Sequence, residues 1–530
     1  MNDFQYEPID VKGRNFRLLR LCQGKEGIEC KLFPAQLHDE APLHDDAPLH
    51  DDAPTYEALS YTWGPNEMSE SIKVNGKEFG VTENLYLALQ YLRSEKSDRT
   101  LWIDAICIDQ SDEKERGHQV RQMGGIYKQA NRVIFWLGPA TYETNVVMDS
   151  LKSLQNKDNK ETSKDWKIAD KRWMDPWLAV QSDLRRQHPG LETLQRVGMK
   201  FLFERPWFKR VWILQEVANA RAALVCCGTK SVSARIFALA PSLIEVQPEP
   251  HCQAVLNMMP GLNQDDSWWG KEPSLYTLLL QFNGSKASDP RDMIYALLGI
   301  SKDARNSDIL YADYTKNIEQ VIQDTTSFVF DLSYSRYRTM EDFLQNLTDL
   351  NKKSIYEAAR LSDAKRVAEF LKRRGNEVNI TESVLEAATW NRSSGKEVME
   401  LLLQQQGDGV KITESVLKAA AENESGGKEV MELLLQQRGD RVKITESVLE
   451  AAAWQSGKEV MELLLQQRGD GVKITESVLK VAAQNRSSGK EVIELLLQQQ
   501  GDGVKITESV LEDGERILRR YNIYISSFAV

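Results

Sequence analysis

Leu101-Trp-Ile-Asp-Ala-Ile-Cys-Ile-Asp-Gln-Ser-Asp-Glu-Lys-Glu-Arg-Gly-His-Gln-Val-Arg-Gln-Met-Gly-Gly-Ile-Tyr-Lys-Gln-Ala-Asn-Arg-Val-Ile-Phe-Trp-Leu-Gly138 is the stretch on which the fold turns. Its first eight residues are a nearly continuous apolar run, as expected of a strand covered on both faces. Ser111 then opens a helix, with Asp112 and Glu113 favouring its positive end and Val120, Met123, Tyr127 and Ala130 facing inward. Arg132 to Gly138 reads as a second buried strand. Strand, helix and strand in succession imply a mainly parallel sheet.

Working outward, Phe16 to Leu21 and Ile28 to Phe33 read as two short strands, and Tyr56 to Pro65 as a third, ended by Gly64-Pro65. Residues 70–81 fit a hairpin turned by Asn75-Gly76, the strongest short hairpin signal. Thr82 can cap a helix whose stripe is Leu85, Ala88, Leu89 and Leu92. Pro206 suits the first turn of a helix running through Val211 to Val217, and Ala222 to Gly228 reads as a further strand. The expected architecture is an α/β parallel-sheet domain over residues 1–228, with an N-terminal hairpin and a helical insertion near 144–203. A mostly helical extension over 229–352 follows. A six-residue repeat, His38-Asp-Glu-Ala-Pro-Leu-His44-Asp-Asp-Ala-Pro-Leu-His50-Asp-Asp-Ala-Pro54, reads as an extended acidic loop between two strands.

The rest obeys other rules. All 16 prolines lie at or before Pro290, and all six histidines and six cysteines at or before Cys252. Ile380-Thr-Glu-Ser returns at Ile412, Ile444, Ile474 and Ile506, at intervals of 32, 32, 30 and 32 residues, a period that signals a solenoid over 354–517. A tail, 518–530, ends the chain. Each copy reads as two short helices, one striped by Val384, Leu385 and Ala388, the other by Val398, Leu401, Leu402 and Leu403. Thr381 or Ser383 can cap the first, and Gly407 and Gly409 around Asp408 supply the turn after the second. Neither helix is long enough to stand alone in water, so the copies must stack. They differ mainly where the first helix ends, which marks one edge as a candidate protein-binding surface with Trp390 and Trp454 as anchors. Drift at unconstrained turns after a duplication would give the same pattern.

The formal net charge of −11 over 530 residues gives no general attraction for nucleic acid. The first ten residues lack the features of a signal peptide, no run approaches the length of a membrane span, and the expected compartment is the cytoplasm, with free thiols and no stable membrane anchor. No metal site is expected: His38, His44 and His50 have no preformed geometry, and Cys226, Cys227, His251 and Cys252 lack ligand spacing. Cys107 and His118 lack the third group of a thiol catalyst. No Gly-x-x-x-x-Gly-Lys-Ser/Thr occurs, so a phosphate loop of that kind is absent, and no resident cofactor is expected.

Four blocks, Tyr56-Glu-Ala-Leu-Ser-Tyr-Thr-Trp-Gly, Leu101 to Gln110, Met123 to Gly138 and Pro206-Trp-Phe-Lys-Arg-Val-Trp-Ile-Leu-Gln-Glu-Val, resemble in order those of the fungal heterokaryon-incompatibility (HET) domain. Ser288-Asp-Pro-Arg-Asp-Met-Ile-Tyr-Ala-Leu-Leu-Gly resembles a segment that commonly follows it. The resemblance implies self/non-self recognition between fused fungal cells with a cell-death output, the repeats sensing a partner and the domain, assembled as a homo-oligomer, acting as effector. It singles out Tyr61, Trp63, Gly64, Trp102, Asp104, Asp109, Gln110, Tyr127, Trp207, Arg210, Trp212 and Gln215. Asp104 reads either as a ligand-site acid at a strand's carboxyl end or as a partner of neighbouring amides. The family in turn resembles TIR signalling domains, some of which split NAD with a glutamate spaced from a tryptophan as Glu216 is from Trp212, and this implies a catalytic role for Glu216 with NAD as substrate. One carboxylate suffices, because nicotinamide leaves as a neutral group and only the oxocarbenium-like ribosyl centre needs stabilising. Ile213 stands where TIR domains carry cysteine. The alternative is a non-catalytic adaptor that works by homotypic assembly. Ser354 to Leu371 resembles the two helices of an ankyrin repeat, although the copies lack that family's Thr-Pro-Leu-His start.

Overall fold

The computed structural model describes residues 4–498 apart from 39–54, 65–66, 159, 164, 169, 262–266, 306, 407–411, 439–442, 456, 468–473 and 486. The acidic insert, the Gly407-Asp408-Gly409 turn, the fifth copy at Ile506 and the tail 518–530 therefore lie outside the described residues. The chain divides into two compact units, Met1–Leu347 and Thr348–Val530.

The first unit is built on one sheet of nine strands: β1 Asn15–Leu21, β2 Glu29–Gln36, β3 Glu57–Ser60, β4 Glu70–Val74, β5 Lys77–Val81, β6 Arg99–Trp102, β7 Arg132–Trp136, β8 Ala223–Cys227 and β9 Lys230–Ser233. Their spatial order is β5-β4-β2-β1-β6-β3-β7-β8-β9. The neighbours β6, β3, β7 and β8 run parallel, and β2 pairs in parallel with β4. The pairings β1–β2, β1–β6, β4–β5 and β8–β9 are antiparallel. The sheet is mixed rather than mainly parallel, because hairpins close both flanks. Within the parallel core, taken in chain order, the first strand β3 lies between the second and the third, a doubly wound arrangement. The sheet continues past residue 228 into β9, and helices begin at Ala234.

The local signals in the front half hold where a turn residue or cap decides them. Asn75 and Gly76 both take positive φ, 50° and 77°, between β4 and β5, as a two-residue hairpin requires. Thr82 Oγ1 accepts from Leu85 N at the head of the Glu83–Leu92 helix. Two expectations fail. The apolar run from Leu101 is strand only to Trp102; Asp104–Cys107 is a helical turn, with Cys107 N donating to Ile103 O and Ile108 N to Asp104 O. Apart from half-buried Ala105 the run is buried, and periodicity cannot tell a buried strand from a buried helical turn. After Pro206, a 3-10 turn (Pro206–Lys209) stops at Arg210, which is extended, and the α-helix restarts as Ile213–Ala218. The break is held by a strand-like bridge to Lys286, with Val211 N donating to Lys286 O and Lys286 N to Lys209 O.

The second unit consists of helix pairs. In the four described copies the pairs are Glu382–Thr389 with Gly395–Gln406, Glu414–Glu422 with Gly427–Arg438, Glu446–Gln455 with Lys458–Gln467, and Glu476–Gln484 with Gly489–Gln498. Each first helix packs on the next copy's first helix and each second on the next second. The predicted stripes meet in one apolar cluster running from Ile355 to Leu496. Thr381, Thr413 and Thr475 occupy the N-cap positions without a side-chain cap bond. Their hydroxyls turn elsewhere: Thr381 to Ser383, Thr413 to Glu382 and Thr475 to Glu446 of the preceding copy. A buried asparagine does the joining at the variable edge. Asn391 Nδ2 donates to Ala359 O and Ser362 O, Asn423 to Thr389 O and Asn485 to Ala453 O, while their Oδ1 atoms accept amides at the start of the second helix. Gly427 lies so close to Ala420 O that a Cβ would sit at 2.3 Å from it, so the helix-to-helix turn admits no side chain there. The 30-residue copy has Gln455 at the position of these asparagines and is two residues shorter.

Candidate functional site

The ends of β3 and β6 place Tyr61-Thr-Trp-Gly64 and Asp104 side by side, because the two strands are parallel neighbours and both end at the same side of the sheet. The extended break at Arg210 lets its side chain reach both. Arg210 Nη1 donates to Tyr61 O at 2.6 Å and contacts Glu216 Oε1 at 3.3 Å, and Nη2 donates to Asp104 Oδ2 at 3.0 Å. Trp63 Nε1 donates to the same Asp104 oxygen at 3.0 Å, and Asp104 Oδ1 accepts from Ala105 N at 2.8 Å. Asp104 thus bonds its neighbouring amide, as one of its two expected readings has it, and its other oxygen is held by Trp63 and Arg210.

These residues border a recess of about 420 Å³ outside the carboxyl ends of the parallel strands. Its wall includes Thr62, Trp63, Gly64, Asp104, Gln110, Arg210 and Trp212. The Ser288-Asp-Pro-Arg-Asp segment supplies much of the opposite side: Trp212 Nε1 donates to Asp292 Oδ2 at 3.0 Å, and Tyr314 Oη to Asp292 Oδ1 at 2.7 Å. Gln215 Nε2 reaches Tyr295 O, so the extension completes the site rather than adjoining it.

Glu216 is fully buried and is absent from that wall. It stands behind Arg210, its Oε2 without a hydrogen-bond partner among the described residues. The Ser60 hydroxyl, which accepts from Trp207 Nε1 at 2.8 Å, still favours the ionised form of that carboxylate. Burial pushes the Glu216 carboxyl up to about 7, against the pull of Arg210. Burial alone would lower Arg210, but Glu216 and Asp104 outweigh it and hold the guanidinium above its ordinary value. One arginine between two carboxylates, almost wholly removed from water, is an arrangement that loses much when any member is removed.

The other predicted residues divide by role. Trp102, Tyr127, Trp207 and Tyr61 are buried. Tyr127 Oη donates to Leu59 O, and its ring meets the Trp102 ring edge-on at 5.3 Å. Gln110 Nε2 donates to Asp104 O, while Asp109 Oδ1 accepts from Ser111 N and Oγ, shaping the turn into the Glu113–Gln129 helix. Cys107 accepts from Ile103 N, and burial pushes its thiol up to about 12; His118 bonds Gln122. No group of three His, Cys, Asp or Glu residues suited to a metal occurs among the described residues. Trp390 and Trp454 are 38% and 50% exposed at the ends of their helices. Sequence reasoning missed Arg116, Lys286, Asp292 and Tyr314 as recess residues. The Ser288 to Asp292 motif was the available signal, and its distance from the other blocks hid the connection.

The family model for heterokaryon incompatibility protein (HET) matches residues 56–216, the span that contributes β3, Asp104, Arg210 and Glu216. Residues 56–216 are a HET domain. The HET domain is followed by five segments, 370–399, 401–431, 433–461, 463–492 and 495–512, that match a family described as a domain of unknown function, DUF7104. Heterokaryon incompatibility protein 6, OR allele, of Neurospora crassa is 29% identical over 339 residues, covering 54% of this chain and 48% of the relative. The chain thus spans about half the length of the curated relative it matches. No solved structure matches the chain. No helix of the described residues is long and apolar enough to cross a membrane.

Proposed function

We propose that this protein acts in heterokaryon incompatibility, with the HET domain as the effector of regulated cell death and the repeats as the sensor of a protein partner. One observation carries the reading: Trp63, Asp104, Arg210 and Trp212, drawn from three separate blocks of the HET motif, converge on a single recess. The protein works in the cytoplasm, as a homo-oligomer once activated. The HET domain is read as TIR-like, supported by the doubly wound order of its parallel core. The repeats are read as an ankyrin-like solenoid, supported by their paired helices and continuous apolar cluster.

Cleavage of NAD by Glu216 requires its carboxylate to reach the recess past Arg210. The complete burial of Glu216 favours the second reading, a non-catalytic adaptor acting by homotypic assembly of HET domains. Expression of residues 1–347 in a fungal host tests the effector. This span, rather than 1–228, is needed because Lys286, Asp292 and Tyr314 complete the recess. The expected outcome is toxicity that Trp63→Ala abolishes while circular dichroism stays unchanged; a harmless 1–347 fragment contradicts the effector role. Loss of NAD in the purified oligomer separates enzyme from adaptor. In the full chain, Trp390→Ala with Trp454→Ala should alter partner choice, and unchanged specificity would remove the edge from consideration.

A further inference from the structure

The first helices of the four described copies lie side by side, each packed on the next, so residues at one register form rows across the stack. The row one turn before the helix end reads Glu386, Lys418, Glu450 and Lys480, and the row at the end reads Trp390, Glu422, Trp454 and Gln484. A Glu-x-x-x-Trp pair therefore returns in every second copy. Residues four apart on a helix share a face, and both tryptophan rings stand exposed. Neither belongs to the apolar cluster that joins the copies, so burial within the stack does not account for them.

Trp390 meets the next copy at an open hollow of about 490 Å³, whose wall includes Glu386, Glu414, Ser415, Lys418 and Glu422. The cation on that wall, Lys418, is paired with Glu414 at 3.3 Å. Glu386 and Glu422 have no ion pair within 4.0 Å among the described residues. Arg392, in the turn beyond Trp390, is not on the wall. Burial and the neighbouring Glu382 push the Glu386 carboxyl up, against the Ser415 hydroxyl, so negative charge is crowded there. The corresponding positions beside Trp454 repeat the pattern: Lys480 is paired with Glu476 at 3.0 Å, and Glu450 accepts from Ser477 Oγ but has no ion pair among the described residues. An exposed ring beside an unpaired carboxylate suits a cation, attracted by the ring's quadrupole on one side and by charge on the other. A guanidinium, which stacks and pairs at once, suits it best.

We propose that this edge binds an extended basic segment of the partner, with one arginine or lysine over Trp390 beside Glu386 and Glu422 and a second over Trp454 beside Glu450. Neighbouring helices pack about 8–10 Å apart, so two copies separate the two tryptophans by about 16–20 Å, and an extended chain spans that in about six residues, an even step that turns both side chains to the same side. The proposal rests on the reading of the repeats as the sensor and names the chemistry of what they sense.

Titration calorimetry of the purified full-length protein with synthetic peptides tests it. A Gly/Ser peptide carrying two arginines six residues apart should bind one per chain. The same peptide with one arginine, or with two glutamates in their place, should bind at least about tenfold more weakly. Trp390→Ala with Trp454→Ala should weaken the two-arginine peptide by about tenfold, and Glu386→Gln with Glu422→Gln by about fivefold. The four side chains are exposed or half-buried, and an unchanged melting temperature verifies that the stack is intact. Glu397→Gln with Glu429→Gln removes the same charge from exposed positions on the second helices and should leave binding unchanged. An equal loss in that control would reduce the effect to general attraction by an acidic chain and overturn the proposal. No binding at millimolar peptide, or affinity indifferent to the tryptophan and glutamate pairs, overturns it as well. If the double tryptophan variant changes incompatibility specificity while the parent ignores the peptide, the basic ligand falls and the sensor edge stands; peptide binding through these residues with unchanged specificity does the reverse.

Discussion

The recess and the repeat stack solve the same problem of burying polar groups in opposite ways. Around Arg210, single residues from β3, β6, the 206–218 segment and the extension meet once, and no position has a substitute. In the stack, the same few interactions recur: an alanine-rich stripe, a buried asparagine in three of the four described copies and a hydroxyl-to-glutamate bond on the rim. Concentrated charge makes the first region sensitive to one change. Repetition spreads stability over nearest-neighbour contacts in the second.

The largest expected effect that separates them is Arg210→Met. It leaves Asp104 and Glu216 facing each other without a cation in a site shielded from water, and a loss of about 3–5 kcal/mol is expected for a broken buried pair. Urea denaturation of the full chain reads this as a lower midpoint of the first unit's transition. A midpoint within error of the parent would mean that the three charges are not coupled as described.

A smaller effect concerns proton linkage at Glu216. Its carboxyl titrates from about 4.5 when unfolded to about 7 when folded, so the folded state holds the extra proton between those values. Stability therefore falls as pH rises through that window, since the unfolded state binds fewer protons there. Glu216→Gln has no such proton. The melting temperature of the variant minus that of the parent should climb between about pH 4.5 and 7 and level off above. A flat difference across the range would place the Glu216 titration elsewhere.

The smallest effect tests the repeats. Asn423→Ala removes a buried bond to Thr389 O and frees the Ser425 amide, with about 1–2 kcal/mol expected for the orphaned groups. Hydrogen exchange should quicken at the 389–427 junction and little in copies beyond it. Equal acceleration along the whole stack would show one cooperative block rather than a chain of neighbours.

The repeat period, the stripes, the Asn75-Gly76 hairpin and the Thr82 cap were all readable from residues a few positions apart, because each depends on local backbone preference or on a helical or strand period. The HET motif residues were readable as a set for the same reason: they stand in four short blocks. Their division of labour was not. Trp63 and Trp212 face the recess while Trp102 and Trp207 are core, yet all four sit in equally apolar blocks. Asn391, Asn423 and Asn485 stood in plain view within the variable edge, but the partner of each lies in the helix pair before it.

By itself, the chain's pattern determined that an α/β domain precedes a stack of helix pairs, since apolar periodicity and turn chemistry are local properties. Only the tertiary structure decided that the run from Leu101 turns helical at Asp104, that the segment after Pro206 breaks at Arg210, and that Glu216 stands behind the recess instead of in it. The last two involve partners distant in sequence: Lys286 bridges the break at Arg210, and Asp292 and Tyr295 hold Trp212 and Gln215 of the segment that carries Glu216. A buried charge finds its partners by proximity in space, and sequence spacing carries no record of that distance.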